Sequence, residues 1–205
     1  MSTSRNEAIE QGRTDAAANA VDDAADDESQ TSPAVKNYGT NPLRGWGNYV
    51  DDQWDEAGPL QLVADTRTQV LFDTAGATIE SQLPVDILED PDPARRTMVD
   101  GDNSLILGRN GDAYLVTIEF KAKPTNANST ILEADIDIGG GIPPLYGRTF
   151  TFPKGVNVEK NVTFTTSIYT LNTWEANGGK FYLKGSNTFD IYDFRIVMNR
   201  LYKAR

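Results

Sequence analysis

The 205-residue chain predicts an all-β fold, an antiparallel β-sandwich of jelly-roll kind, behind an acidic N-terminal arm that is flexible or weakly helical. Three observations carry this expectation. Short runs of alternating apolar and polar residues recur from Tyr38 onward. Gly, Pro and Asn punctuate them, and no 3.6-residue period is visible past residue 37.

The arm comes first. Residues 1–36 contain no Phe, Tyr or Trp and carry eight acidic residues against Arg5, Arg13 and Lys36, a net of -5. Such a segment cannot bury enough apolar area to offset its ordering entropy. Asn6 to Ala25 is rich in Ala and suits one weak helix, with Ile9 and Val21 as its only large apolar residues. The segment reads either as a solubilising tail or as an arm that orders on a neighbouring protein. The boundary is placed at 45/46, giving an arm over 1–45 and a β domain over 46–205.

Within the domain, Tyr114, Val116, Ile118, Phe120 and Ala122 share one face of a predicted strand, with Thr117, Glu119, Lys121 and Lys123 on the other. Leu132, Ala134, Ile136 and Ile138 alternate with Glu133, Asp135 and Asp137 up to the break at Gly139-Gly140-Gly141. Val162, Phe164, Thr166 and Ile168 face away from Thr163, Thr165 and Ser167. Asn110-Gly111 and Asn177-Gly178 carry the signature of tight hairpins. Asp86 to Asp92, broken by Pro91 and Pro93, reads as an extended exposed loop. In the last run, Phe189 to Tyr202, the apolar phase slips by one residue after Ile191, as a β-bulge would produce.

Composition narrows the chemistry. With no Cys and no His, thiolate sites, Cys nucleophiles and His-based triads are excluded. A formal net charge of -11 opposes binding to nucleic acid. No stretch approaches the roughly 18 apolar residues of a membrane helix, and the N-terminus has no apolar run of signal-peptide length, so synthesis in the cytoplasm without export is expected. The chemically suggestive groups are acidic clusters. Asp51, Asp52, Asp55 and Glu56 lie beside Trp46, Tyr49 and Trp54, an acid-aromatic stretch that reads as catalytic carboxylates, as an aromatic anchor for a partner, or as ordinary core and solvated loop. Asp100-Gly101-Asp102-Asn103 lacks the later glycine and glutamate of an EF-hand and reads as a turn. No catalytic, cofactor or metal residue is assigned and no enzymatic activity is expected. The partner-binding candidates are Ile9, Val21, Tyr38, Trp46, Tyr49 and Trp54.

The run Gly111-Asp112-Ala113-Tyr114-Leu115-Val116-Thr117-Ile118-Glu119-Phe120 resembles the start of a strand in tumour-necrosis-factor and C1q-like jelly rolls, and Phe189 to Leu201 resembles their terminal core strand. The resemblance spans roughly residues 60–202. Domains of this kind occur in tailed-bacteriophage virions as capsid decoration (cement) proteins, head fibres and tail-fibre tips, commonly as homotrimers. The resemblance therefore implies a non-enzymatic virion structural protein on the capsid surface, made in the host cytoplasm. Its partner would be the major capsid protein or another virion protein, with residues 1 to about 45 as the attachment element. The alternative it implies is a receptor- or glycan-binding tip of a phage fibre.

Overall fold

A computed structural model describes residues 44–126, 128–154 and 158–204. The compact unit to which they belong runs from Pro42 to Arg205. Ile9, Val21, Tyr38 and the expected arm up to residue 43 lie outside the described residues.

The described residues form eleven strands: β1 (Gly45–Val50), β2 (Leu60–Leu62), β3 (Thr68–Gln69), β4 (Val99–Asp100), β5 (Leu105–Ile106), β6 (Ala113–Pro124), β7 (Thr130–Asp137), β8 (Leu145–Phe152), β9 (Lys160–Tyr169), β10 (Lys180–Gly185) and β11 (Phe189–Tyr202). They pair antiparallel into one sheet of order β1-β11-β6-β9, with β2 also on β11, and a second of order β3-β10-β7-β8; β4 and β5 form a separate hairpin. From β6 onward the chain passes between the sheets at each connection except β7–β8, the crossing pattern of a jelly-roll sandwich. The predicted fold class is the one observed.

Alternation builds the core. Along β6 each inward residue, Tyr114 to Ala122, is buried, while each outward one is half exposed. β7 and β9 repeat the pattern with Leu132, Ala134, Ile136 and with Val162, Phe164, Ile168. Between the sheets the inward aromatics meet: Phe181 of β10 lies 5.3 Å from Phe164 and 6.2 Å from Phe120, measured between ring centres. Burying each such ring contributes about 1.5–3 kcal/mol.

The phase slip in β11 is a bulge. Its register with β6 shifts between Tyr192 and Arg195, and Asp193 adopts φ 52°. The bulge marks where the strand changes neighbours. Phe189 to Ile191 pair with β2, and Arg195 to Arg200 pair with β1.

Three local expectations are corrected. Gly111 does turn the chain with φ 83°, yet no hairpin forms, because β5 pairs with β4 while β6 pairs with β9 and β11. Asn177-Gly178 ends a helix, α2 (Asn172–Asn177), rather than joining two strands; Gly178 has φ 68° and donates its N–H to the carbonyl of Trp174. A single buried anchor, Trp174, whose indole N–H donates to the Ile106 carbonyl at 3.0 Å, holds that short helix where periodicity is too brief to read. The proline-rich stretch is not fully extended. Pro84 precedes helix α1 (Val85–Leu88) and Pro93 opens a 3₁₀ turn (Pro93–Arg95), since a fixed φ near -65° suits a first helical turn as well as a loop. Ile87 of α1 is buried.

Candidate partner-binding surface

The acid-aromatic stretch divides among separate environments. Tyr49 points inward from β1 at 2% exposure, and its hydroxyl accepts the N–H of Met98 at 3.0 Å. Trp54 is half-buried and donates its indole N–H to the Leu71 carbonyl at 2.6 Å. Trp46 points outward and stays 37% exposed. Of the described candidates, Trp46 therefore offers the most surface to a partner.

The acidic groups hold loops. Asp51 is buried, its Oδ1 accepting the N–H of Asp73 at 2.8 Å and its Oδ2 that of Trp54 at 2.9 Å. Asp55 Oδ1 accepts from Ala57 and Gly58. Burial raises the Asp51 carboxyl above its ordinary value, with the two backbone donors offsetting part of the rise. Replacing Asp51 with alanine strands two amides and is expected to lower unfolding stability by about 2 kcal/mol, measured by urea denaturation. A loss below a few tenths would remove Asp51 as the loop's organiser.

The register assembles a surface that no single motif announced. On the outer face of the β1-β11-β6-β9 sheet, Trp46, Asn199, Leu115 and Ser167 form one cross-strand row. Asn48, Val197, Thr117 and Thr165 form the next. Tyr202 and Tyr169 flank Ala113 at the end of the sheet, and both rings are 55% exposed. These positions carry no charge. Charge begins in the next row of the same face, where Arg195 lies 3.6 Å from Glu119 and Lys121 3.0 Å from Asp193. On the outer face of the second sheet, Arg67 pairs with Asp135 at 2.5 Å and Asp137 at 3.3 Å and lies 3.6 Å over the Tyr182 ring, and Lys184 faces Glu133. Sequence reasoning did not single out Tyr169 as a partner-binding candidate, although alternation carries the signal, because Ile168 and Phe164 take the inward phase and Tyr169 falls outside it.

Ionic groups at the opposite extreme of burial tie β11 to α1. The Arg200 guanidinium is fully buried between Asp86 and Asp112, with Nη1 2.9 Å from Asp86 Oδ2 and 3.3 Å from Asp112 Oδ2. Lys203 Nζ also reaches Asp86 at 2.9 Å, and Arg109 Nη2 reaches Asp90 at 2.7 Å. Partial burial would raise the Asp86 carboxyl, but hydrogen bonds from Arg200 and Lys203 outweigh it and bring the pKa down from 3.8 to about 2. A carboxylate depressed in the folded state adds stability that is complete above its unfolded pKa and fades as pH falls through the folded one. Thermal unfolding should therefore show a loss of stability between about pH 4 and pH 2 that is diminished in Asp86→Asn. An identical acid profile in the variant would refute this assignment. Nearby, a cavity of about 80 Å³ is lined by Ile87, Met98, Leu107 and Tyr114, with Arg95, Arg109 and Glu175 at its rim. Ligand pockets usually exceed about 300 Å³.

Fold and surface together define an antiparallel jelly-roll-like sandwich in which one sheet face has an uncharged, aromatic-ended half. No protein-family model matches the chain, and no curated protein matches it. Among solved structures it is similar to the Eiger tumour necrosis factor of S. frugiperda, with 8% identity, 80% of this chain and 96% of that chain covered, and a TM-score of 0.46. It is also similar to vertex protein P5 of PRD1, with 12% identity, coverage of 78% and 73%, and a TM-score of 0.41. A third likeness is to infectious bursal disease virus, Gx strain, with 14% identity, coverage of 74% and 32%, and a TM-score of 0.33. Such scores carry neither partner nor activity across.

Proposed function

We propose that this chain is a non-enzymatic virion structural protein, a homotrimeric capsid decoration or cement protein whose residues 1–45 attach it to the major capsid protein. The observation that carries this reading is the pairing of a β-sandwich, one sheet face of which has an uncharged half bearing Trp46, Tyr169 and Tyr202, with a 36-residue acidic segment devoid of aromatic residues. A sheet face with exposed aromatic residues suits protein–protein contact. An acidic, weakly apolar segment suits ordering on a neighbour rather than within its own core. Three linked arms would also bind with greater avidity than one, because later contacts become effectively intramolecular. Ile9, Val21 and Tyr38 are the arm's proposed contacts, and Trp46 the domain's.

Co-sedimentation with purified capsids that lack the protein tests this. The full chain should pellet with capsids, and a chain without residues 1–36 should stay in the supernatant while keeping its β circular dichroism. Failure of the full chain to pellet would overturn the reading. The exposed Tyr169 and Tyr202 favour a second one, a glycan-binding fibre tip, since sugar rings stack on exposed aromatic faces. On that reading the truncated chain would bind polysaccharide as well as the full chain does.

A further inference from the structure

We propose that copies of this chain bind one another through the free edge of β9 and the tyrosine-lined end of the same sheet, formed by Tyr169, Leu171, Leu201 and Tyr202. This inference rests on the homotrimeric reading above and gives it a location.

The first argument is the state of the sheet edges. A strand at the end of a sheet presents a row of unpaired N–H and C=O groups that will template another chain unless they are covered, shortened or charged. The other edges show these protections. β1 exchanges hydrogen bonds with Ile79, and its Trp46 N–H donates to the Gln82 carbonyl, so residues 79–82 cover it. β3 is two residues long. β8 contains Arg148, kinks at Tyr146 with φ 60°, and receives a hydrogen bond from Lys160 Nζ on its Thr151 carbonyl.

Among the described residues β9 has only Lys160, a charge at its first position, and none of them beyond it. It ends its sheet, runs ten residues in unbroken register with β6, and holds no Pro, Gly or charged residue from Asn161 to Tyr169. Its outward side chains, Thr163, Thr165, Ser167 and Tyr169, are all exposed.

The second argument is charge. A chain of net charge -11 repels its own copies. A basic or otherwise charged partner would be recognised through that acidic surface, whereas copies of one acidic chain approach with least repulsion where neither bears charge. The two rows from Trp46 to Ser167 and from Asn48 to Thr165, together with the Tyr202–Ala113–Tyr169 end, are such a place.

The third argument is apolar area. Tyr169, Leu171 and Tyr202 are each 55% exposed and Leu201 47%, which clusters four large apolar side chains where β6, β9 and β11 end and β9 leads into Leu171. The uncharged part spans five residues of β9, Thr165 to Tyr169, which rise about 16 Å, and four strands span about 14 Å. It projects a little over a quarter of the roughly 800 Å² that one partner gives to a standard interface, and the exposed edge of β9 and the protruding end residues add to it.

The test is light scattering on the full chain at micromolar concentration, for the unaltered protein and for Thr165→Lys, Tyr169→Glu and Tyr202→Glu, with Thr149→Lys on the β8 edge as the control. The unaltered protein and the control should show a multiple of 22.5 kDa, and the three variants should fall to the single-chain mass with unchanged β circular dichroism. Hydrogen exchange supplies a readout that needs no substitution. The β9 amides should lose protection on dilution to the single chain while those of β6 keep theirs. If the unaltered protein has the mass of one chain, the multimeric reading itself fails. If it is multimeric and all three variants remain so, the multimer stands and its placement at β9 is overturned.

Discussion

Arg200→Met is expected to lower the unfolding free energy by about 3–5 kcal/mol, the usual effect of removing one partner from a buried ion pair. The side chain has no solvent exposure and lies between two carboxylates, one of them, Asp112, only 4% exposed. Asp112 also accepts the Tyr114 hydroxyl at 3.0 Å and the Ala204 N–H at 2.9 Å, so the chain end and β6 share the same acid. Without the guanidinium that carboxylate stays in a poorly solvated site, held by two neutral donors. Lysine is a poor substitute, since a single ammonium cannot span Asp86 and Asp112 as the planar fork does. Adding Asp112→Asn to Arg200→Met should restore part of the loss. A domain of this size has about 5–15 kcal/mol in total, so the single variant should shift the urea midpoint strongly at constant slope. A loss under about 1 kcal/mol would mean that the network is dispensable.

The same residue shows where a sequence reading stops. β6, β7 and β9 were legible because each keeps period two over eight or more residues, and a half-buried strand requires nothing more of its sequence. The bulge in β11 was legible as a slip in that period. Arg200 continues the inward series Phe194, Ile196 and Met198, so its burial could have been read from the same alternation; its acids could not, because Asp86 stands 114 residues away on a helix of four residues. The turn residues misled for a related reason. Asn-Gly and proline specify local dihedral angles, and those angles serve a hairpin, a helix end or a crossover between sheets equally well.

The candidate surface was half visible. Trp46 was singled out by its type, and the structure leaves it exposed, but Tyr49, three residues on and equally aromatic, is core. Their separation by an odd number of residues puts them on opposite faces of β1, which distinguishes them once the strand is assigned. Leu115, Val197 and Tyr202 join Trp46 only through register, a relation between strands up to about 150 residues apart that no local pattern encodes.

The cohesion of the two sheets concentrates on one ring. Phe181→Ala is expected to cost about 3–5 kcal/mol, because it removes a fully buried ring and leaves a cavity that a rigid sandwich closes poorly. Phe181 is the second-sheet member of a cluster with Phe120, Phe164 and Phe194 of the first, at ring-centre distances of 6.2, 5.3 and 5.9 Å. Its backbone pairs with Ile136 of β7, so the strand stays hydrogen-bonded while its packing partner is lost. Phe181→Leu should cost clearly less, since it keeps most of the apolar volume. Tyr182, the next residue, gives the contrast: it faces outward beneath Arg67, and Tyr182→Ala should cost no more than about 1 kcal/mol, the value of a partly exposed cation–π contact. Urea denaturation of the three variants checks the order, and native-state hydrogen exchange checks the cause. In Phe181→Ala, amides of β10 and β7 should lose protection together with those of β6 and β9, because the ring joins both sheets. If only the second sheet loosens, cohesion between the layers resides in the other rings, Phe72, Phe152 and Phe189, and the assignment to Phe181 is wrong.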